Sequence, residues 1–530
     1  MRLFHYAPSG PVPSDPVPSG PAPSSFDRSL HGTHRLLPMF AWMIAALVGA
    51  TSAEAQVRLP RVFSDHMVIQ RDMPVHLWGW AAPAETVRAD FRGQTASAVA
   101  DELGRWSLYL RPGAAGGPFD LTVQGAGEAP LHWTDVLVGD VWLASGQSNM
   151  EFEMFKAATA ESDLAAASLP QVRLLTVNKV AADYAQPDFA GTGWVASSPE
   201  TAHNFSAVAW YFAREISARE HVPVGIIDST WGGTVAEAWT RLTALGQNAA
   251  LAPVFAVRGQ MTDEEATAQL EDKLHDRLRA EAKAAGKPEP QFPWHPMLNM
   301  WAPSMLWNGM IAPLTPFPIR GVIWYQGESN SALARAPIYA RLFQTLIGDW
   351  RAQWGEGDFP FLFVQIANFK STPAEDWATI RQAQLDALAL RRTGMAVTID
   401  IGNPDNVHPT DKATVGHRLA LAARKISYGE DLEDSGPIFR QATTEDHALR
   451  IWFDHGQGLH AEHGGLTGFE VAGADGVFHP ATATIDGTSI VLRSDAVASP
   501  ATARYGWANN PECHLYNAAG LPASPFTTQR

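Results

Sequence analysis

The sequence predicts an α/β protein: a parallel sheet flanked by helices, with all-β modules before and after it. Three observations carry this. Between about residues 135 and 430, short continuous apolar segments alternate with helical stretches, the pattern of strands covered by helices on both faces. Outside that span, short alternating segments are punctuated by Gly and Pro, as in antiparallel sheets. A chain of 530 residues, 46% apolar and 18% charged, is too long for one core and too apolar to be disordered.

The elements follow in order. Residues 8–25 read PSGPVPSDPVPSGPAPSS, a low-complexity stretch that cannot bury enough surface to fold. His34-Arg35, an apolar run over 36–50 and the small-residue site Ala53-Glu54-Ala55 form the pattern of a secretory signal peptide. The run falls short of the ~20 residues that span a bilayer; an N-terminal membrane anchor is the alternative. Segment 1–55 is therefore expected to be low-complexity sequence plus leader. The mature chain then starts near Gln56, is periplasmic or secreted, and has no integral membrane domain.

Residues 56–134 contain the alternating segments 74–80, 86–91, 106–110 and 119–123, expected to form a β-sandwich. In the α/β domain, 135–430, strands are expected at 136–144, 172–177, 224–229, 319–325, 361–366 and 395–399. Helices are expected at 207–220, 338–354, 379–390 and 410–425. An insert over about 243–303 holds a charged helix, either a lid or a solvated excursion, and a loop rich in Pro, Trp and Met. Strands at 448–453 and 489–492 mark a β module over 431–530.

Net charge is −16, with no run of Lys or Arg. That argues against nucleic acid and against an anionic membrane surface as partners. The single cysteine, Cys513, excludes an internal disulfide and a cysteine-based metal site. Nineteen tryptophans fit sugar stacking, but also core packing.

Four polar clusters each follow an expected strand of the α/β region: Gly146-Gln147-Ser148-Asn149, the segment Asp228 to Thr234 with Gly232-Gly233, the segment Tyr325 to Asn330, and Asp405 to Pro409. Ligands of such sheets bind at the carboxyl ends of the strands. Ser148 needs a base to become a nucleophile. His408 titrates in the right range, and Asp405, three residues earlier, is placed to receive its Nδ1–H. The Ser148 N–H, a glycine N–H from Gly232-Gly233 and the Gln326 side-chain amide are the expected oxyanion donors. Which glycine donates is open; Gly233 is the first choice. Gly232, Asn149 and Glu328 are expected to contact substrate or support the site. Glu328 also reads as a buried structural acid, an alternative triad acid or half of a glycosidase carboxylate pair. Each signal has a bland reading by itself: Ser after Gly is commonly a turn, and Gly-Gly a bend. Their joint placement after strands carries the argument.

With GDVWLASGQSNMEF (139–152), DSTWGGTVAEAW (228–239), GVIWYQGESN (321–330), DNVHPTDK (405–412) and NNPECHLYNAAGLPASPF (509–526) in view, the mature chain resembles the sialate O-acetylesterase family of SGNH-type hydrolases. Acetylxylan esterases are near relatives of that family. The resemblance implies an SGNH-hydrolase-like sheet, a serine esterase without metal or cofactor, and Ser148, His408 and Asp405 as nucleophile, base and orienting acid. Gly232 or Gly233 and Gln326 match the oxyanion positions. The substrate implied is an O-acetylated sugar or glycan: a sialate acetylated at O9 first, acetylated xylan or pectin as the alternative. A non-catalytic carbohydrate-binding protein is the competing class. The wider SGNH group has Gly-x-Asn-Asp where this chain has Gln-Gly-Glu-Ser, which leaves the role of Glu328 open.

Overall fold

The computed structural model describes residues 56–529 apart from Glu128, 293–296 and His463. The expected leader, 1–55 with its Ala53-Glu54-Ala55 site, lies outside the described residues. No helix among the described residues is long and apolar enough to cross a membrane.

Strands β1 (Val68–Gln70), β2 (Val75–Trp80), β3 (Thr86–Phe91), β4 (Gln94–Val99), β5 (Arg105–Leu110) and β6 (Gly116–Gln124) precede the long strand β7 (Leu131–Gly146). β3 pairs antiparallel with β4 and β6, and β2 with β5. The first half of β7 continues this sheet, antiparallel to β6 and parallel to β1. Its second half is the middle of the α/β layer. Burial along β7 records the change: it alternates from Leu131 to Asp135 and is continuous from Val136 to Gly146. One face of the early half meets solvent, whereas helices cover both faces of the later half.

The remaining strands are β8 (Leu169–Thr176), β9 (Val195–Ser197), β10 (Val224–Thr230), β11 (Gly321–Tyr325), β12 (Phe361–Gln365) and β13 (Thr393–Val397). Their order is β13-β12-β11-β7-β10-β8-β9. Every pair is parallel except β8 with β9. The strand Val136 to Gly146 and its neighbours β10 and β11 are buried throughout, as their unbroken apolar runs require.

Helix Ala207–Glu220 starts at Ser206, whose hydroxyl accepts the Ala209 N–H, and stops at His221 in the left-handed conformation. Helix Lys412–Tyr428 is capped by Asp411 on Thr414 N and ends at left-handed Gly429. The insert holds the long helix Pro253–Ala284, which buries Val254 near its start and exposes Leu270 and Leu274 further along. Beyond the α/β layer, the described residues form two four-stranded sheets and a two-stranded one. Arg381 fastens this last part to the layer. Its buried guanidinium donates to the carbonyls of Ile366 and Ala367 and to those of Ala508 and Asn509.

Candidate active site

β7 and β11 are neighbours in register, Gly146 opposite Tyr325. A Cβ on Gly146 would lie 2.2 Å from the Tyr325 carbonyl oxygen, and its φ is 133°. Glycine is therefore required where the chain turns out of the sheet. Ser148 follows as the first residue of a one-turn helix, Ser148–Glu151. Its own N–H has no intrahelical acceptor at that position.

His408 sits on the loop between β13 and helix Lys412–Tyr428. Its Nε2 lies 2.7 Å from Ser148 Oγ, across 260 positions of chain. Burial lowers the pKa of the ring, Lys412 and Lys156 lower it further, and Glu151 and Glu153 oppose them. The neutral imidazole is thereby favoured, the form that accepts a proton.

Asp405 is not brought to His408. Among the described residues no carboxylate hydrogen-bonds or ion-pairs with the ring, and Asp405 is exposed. The cause is local. Asn403 Oδ1 accepts the N–H groups of Asp405 (2.9 Å) and Asn406 (3.2 Å), and Asn406 Oδ1 accepts the His408 N–H (2.9 Å). Asparagine side chains organise this turn and leave the aspartate outside it.

Gln326 also departs from expectation. It is fully buried. Its Nε2 donates to Thr234 O (3.2 Å) and Asn330 Oδ1 (2.7 Å), and its Oε1 accepts the Tyr339 hydroxyl (2.8 Å). With both amide hydrogens engaged, it is a core cross-link and not a donor to the site.

The two glycines separate clearly. The Gly232 N–H is held by the Glu151 carboxylate, which also pairs with Lys179. A Cβ on Gly232 would lie 3.2 Å from Ser148 Cβ, so a side chain there would press on the serine. Gly233 takes φ 73°, and its carbonyl accepts the Trp301 indole N–H at 2.6 Å.

Asn149 and Glu328 lie beneath the serine. Asn149 Nδ2 donates to Glu328 Oε1 (2.6 Å) and Val407 O (3.0 Å), and its Oδ1 accepts Lys412 Nζ (2.5 Å). Asn149 thus ties the serine turn to the histidine loop. Burial pushes the Glu328 carboxyl up and Lys412 down to about 7.

Ser148 and His408 open onto a cleft of about 610 Å³, walled by Gly232, Gly233, Trp301, Glu328, Phe369, Glu375 and Trp377 among others. The far wall is braced by the carboxyl-terminal tail. Asn509 Oδ1 accepts the Trp377 N–H (3.0 Å), its Nδ2 donates to Glu375 O (3.1 Å), and its carbonyl accepts the Phe369 N–H (3.2 Å). Sequence reasoning assigned no role to Glu151, Lys412, Trp301, Phe369, Glu375, Trp377 or Asn509. Glu151, Lys412 and Asn509 stand inside motifs quoted above. The wall residues carry no signal in sequence, because separate segments assemble the wall.

A parallel sheet with its polar clusters at the carboxyl ends is the architecture of SGNH-like carbohydrate esterases. Residues 297–425 match the family described as carbohydrate esterase, sialic acid-specific acetylesterase. Sialate O-acetylesterase of Rattus norvegicus is 30% identical, over 92% of this chain and 97% of its own; that of Homo sapiens is 29% identical, over 93% and 95%. A carbohydrate acetylesterase from Xanthomonas citri of solved structure is 42% identical with a TM-score of 0.77, over 89% of this chain and 99% of its own. The chain belongs to the sialate O-acetylesterase family of carboxylic ester hydrolases, a carbohydrate acetylesterase by its relatives.

Proposed function

We propose that the protein removes O-acetyl groups from carbohydrate by acyl transfer through Ser148. The observation that carries this reading is the 2.7 Å contact between Ser148 Oγ and His408 Nε2 at the floor of an open cleft. As Oγ attacks the acetyl carbonyl, Nε2 takes its proton. The Ser148 N–H and the Gly233 N–H hold the developing oxyanion. His408 then protonates the sugar oxygen as it leaves. It next takes a proton from the water that attacks the acyl-enzyme and returns it to Ser148 Oγ as that bond breaks and acetate departs.

The pair works without a bonded carboxylate: Lys412 and burial keep the ring neutral, and Asn149 joins the two loops. A sialate acetylated at O9 rests on the names of the relatives. Acetylated xylan or pectin is the alternative, compatible with the similarity to a carbohydrate acetylesterase. Export to the periplasm or medium, through a leader ending near Ala55, belongs to the same reading.

The test is p-nitrophenyl acetate hydrolysis by the wild type and by Ser148→Ala. Turnover lost in a variant that melts like the wild type supports the proposal. Turnover unchanged sinks it, and glycan binding without hydrolysis by either form would favour a binding protein.

A further inference from the structure

We infer that Trp301 and Arg335 are positioning residues for the oxyanion site: the guanidinium braces the indole, and the indole N–H holds the Gly233 peptide so that its own N–H meets the developing oxyanion. This rests on the reading of Ser148 as the acetyl-accepting nucleophile and adds two residues to which that mechanism gives no task.

The glycines set the problem. Glycine has the widest backbone freedom of any residue, whereas a donor lowers the barrier only when it is already aimed. Hydrogen bonds remove that freedom from the turn Trp231 to Thr234. The Trp231 N–H donates to Gly146 O (3.1 Å), and Glu151 holds the Gly232 N–H. Thr234 Oγ1 donates to Trp231 O (2.7 Å), and Gln326 Nε2 donates to Thr234 O (3.2 Å). Gly233, at φ 73°, is held at its carbonyl by Trp301 Nε1 at 2.6 Å. Its N–H makes no hydrogen bond to the described residues, which leaves it free to donate to the acyl oxygen.

The Gly233 peptide therefore depends on where one indole sits. Trp301 ends the short helix Leu298–Trp301 of the insert. Glu265 Oε2, on the long insert helix, accepts the Leu298 N–H (3.1 Å), and Glu237 O accepts the Ser304 N–H (3.0 Å). The backbone is thus fixed on either side of Trp301. The ring is held from the block after β11. The Arg335 N–H donates to the carbonyl of Ala332 (2.7 Å), a residue of the cleft wall, and the Arg335 guanidinium lies 4.0 Å from the centre of the Trp301 ring. Arg335 is 8% exposed, and its Nη1 is buried with no hydrogen-bond partner. Burial lowers its pKa, and the charge of Glu237 opposes that. A buried cation is costly unless another group faces it, and the indole π-face meets this one. The cation in turn polarises the indole, which strengthens the N–H bond to Gly233 O.

The experiment compares p-nitrophenyl acetate hydrolysis by the wild type, Ser148→Ala, Trp301→Phe, Arg335→Met and Arg335→Lys, with rates corrected for folded fraction. An oxyanion forms in both acylation and deacylation, so misaiming its donor lowers kcat and leaves KM within about twofold. Trp301→Phe keeps a ring and drops the N–H; kcat should fall by roughly 10–100-fold, less than deleting a donor outright. Arg335→Met should lose about three- to tenfold, and Arg335→Lys should regain most of that through its charge. Inhibition by 1,1,1-trifluoroacetone supplies the second measurement, because its adduct with Ser148 places an oxyanion in the same site. Its Ki should weaken by the same factors as kcat, whereas a folding defect would lower the active fraction and leave Ki alone. Trp301→Phe with the wild-type kcat and Ki overturns the inference. So does a loss carried wholly by KM, or an Arg335→Lys protein no better than Arg335→Met. Ser148→Ala with wild-type turnover would take the esterase reading down as well, whereas turnover that needs Ser148 and ignores Trp301 and Arg335 sinks this inference alone.

Discussion

Two polar blocks leave adjacent parallel strands at the same level, Gln147-Ser148-Asn149 after β7 and Gln326 to Asn330 after β11. They read alike in sequence and do different work. The first turns at once into a helix start and puts a hydroxyl into the cleft, 2.7 Å from His408 Nε2. The second folds its amides inward: Gln326 and Asn330 are buried, and Asn330 Nδ2 donates to Glu237 at 2.8 Å. Only Glu328 and Ser329 of that block reach the cleft. What separates the blocks is how many of their polar atoms find partners inside the protein. A saturated amide is scaffold, and a group with one mobile partner is available for chemistry.

The sharpest way to break this comparison is to truncate one residue in each block. Ser148→Ala should lower kcat for p-nitrophenyl acetate by at least about 10⁴-fold. Thermal unfolding should move little, because among the described residues Oγ bonds only to His408. Gln326→Ala should do the reverse. It removes the amide acceptor of the Tyr339 hydroxyl, which keeps the Gln326 carbonyl, one donor to Asn330 Oδ1, which keeps the Ala236 N–H, and the donor to Thr234 O. The expected cost is about 2–5 kcal/mol in denaturant unfolding, with kcat per folded molecule within tenfold. If Gln326→Ala instead kept its stability and lost 10²-fold or more in kcat, Gln326 would be an oxyanion donor after all.

The contrast also explains what was legible in the sequence. Strand and helix positions were, because a buried parallel sheet writes itself as apolar runs: helix Ala207–Glu220 and strand β3, Thr86–Phe91, fall where expected. The pairing of Ser148 with His408 was legible because each stands just past a strand end, and topology brings strand ends to one edge. Saturation is different. Nothing local says that Gln326 points at Tyr339 or that Asn403 and Asn406 shape the turn at Asp405, since those bonds depend on how turns pack. The cleft wall was illegible for a similar reason. Trp301 arrives from the insert, Glu375 from the loop after β12, Trp377 from the start of the helix Trp377–Asp386, and Asn509, which braces them, from the last β region.

A smaller effect tests the third residue of the expected triad. Asp405 is exposed and unbonded to His408, so Asp405→Asn is expected to cost at most about tenfold in kcat. A drop near 10⁴-fold, the loss seen when a triad carboxylate fixes the tautomer, would show that the turn closes on the ring during turnover. That result would give Asp405, which the turn leaves in solvent, a place on the chemical side of the comparison.

The smallest effect concerns Lys412, which serves both blocks through Asn149 and Glu328. The working base is neutral His408, so kcat/KM should fall as pH drops through its pKa. Burial, then Lys412, then Lys156 hold that pKa below the ordinary histidine value. Lys412, pushed down to about 7, is charged across this acid limb and largely neutral above it. Lys412→Met removes a positive charge only where it matters, and the limb should move to higher pH by roughly 0.3–0.5, with the plateau at alkaline pH preserved once the rate is corrected for folded fraction. An unmoved limb would mean that burial alone sets the ring. A limb moved to lower pH would mean that losing the Lys412–Asn149 bond repacks the histidine loop and that the two blocks are coupled by packing instead of charge.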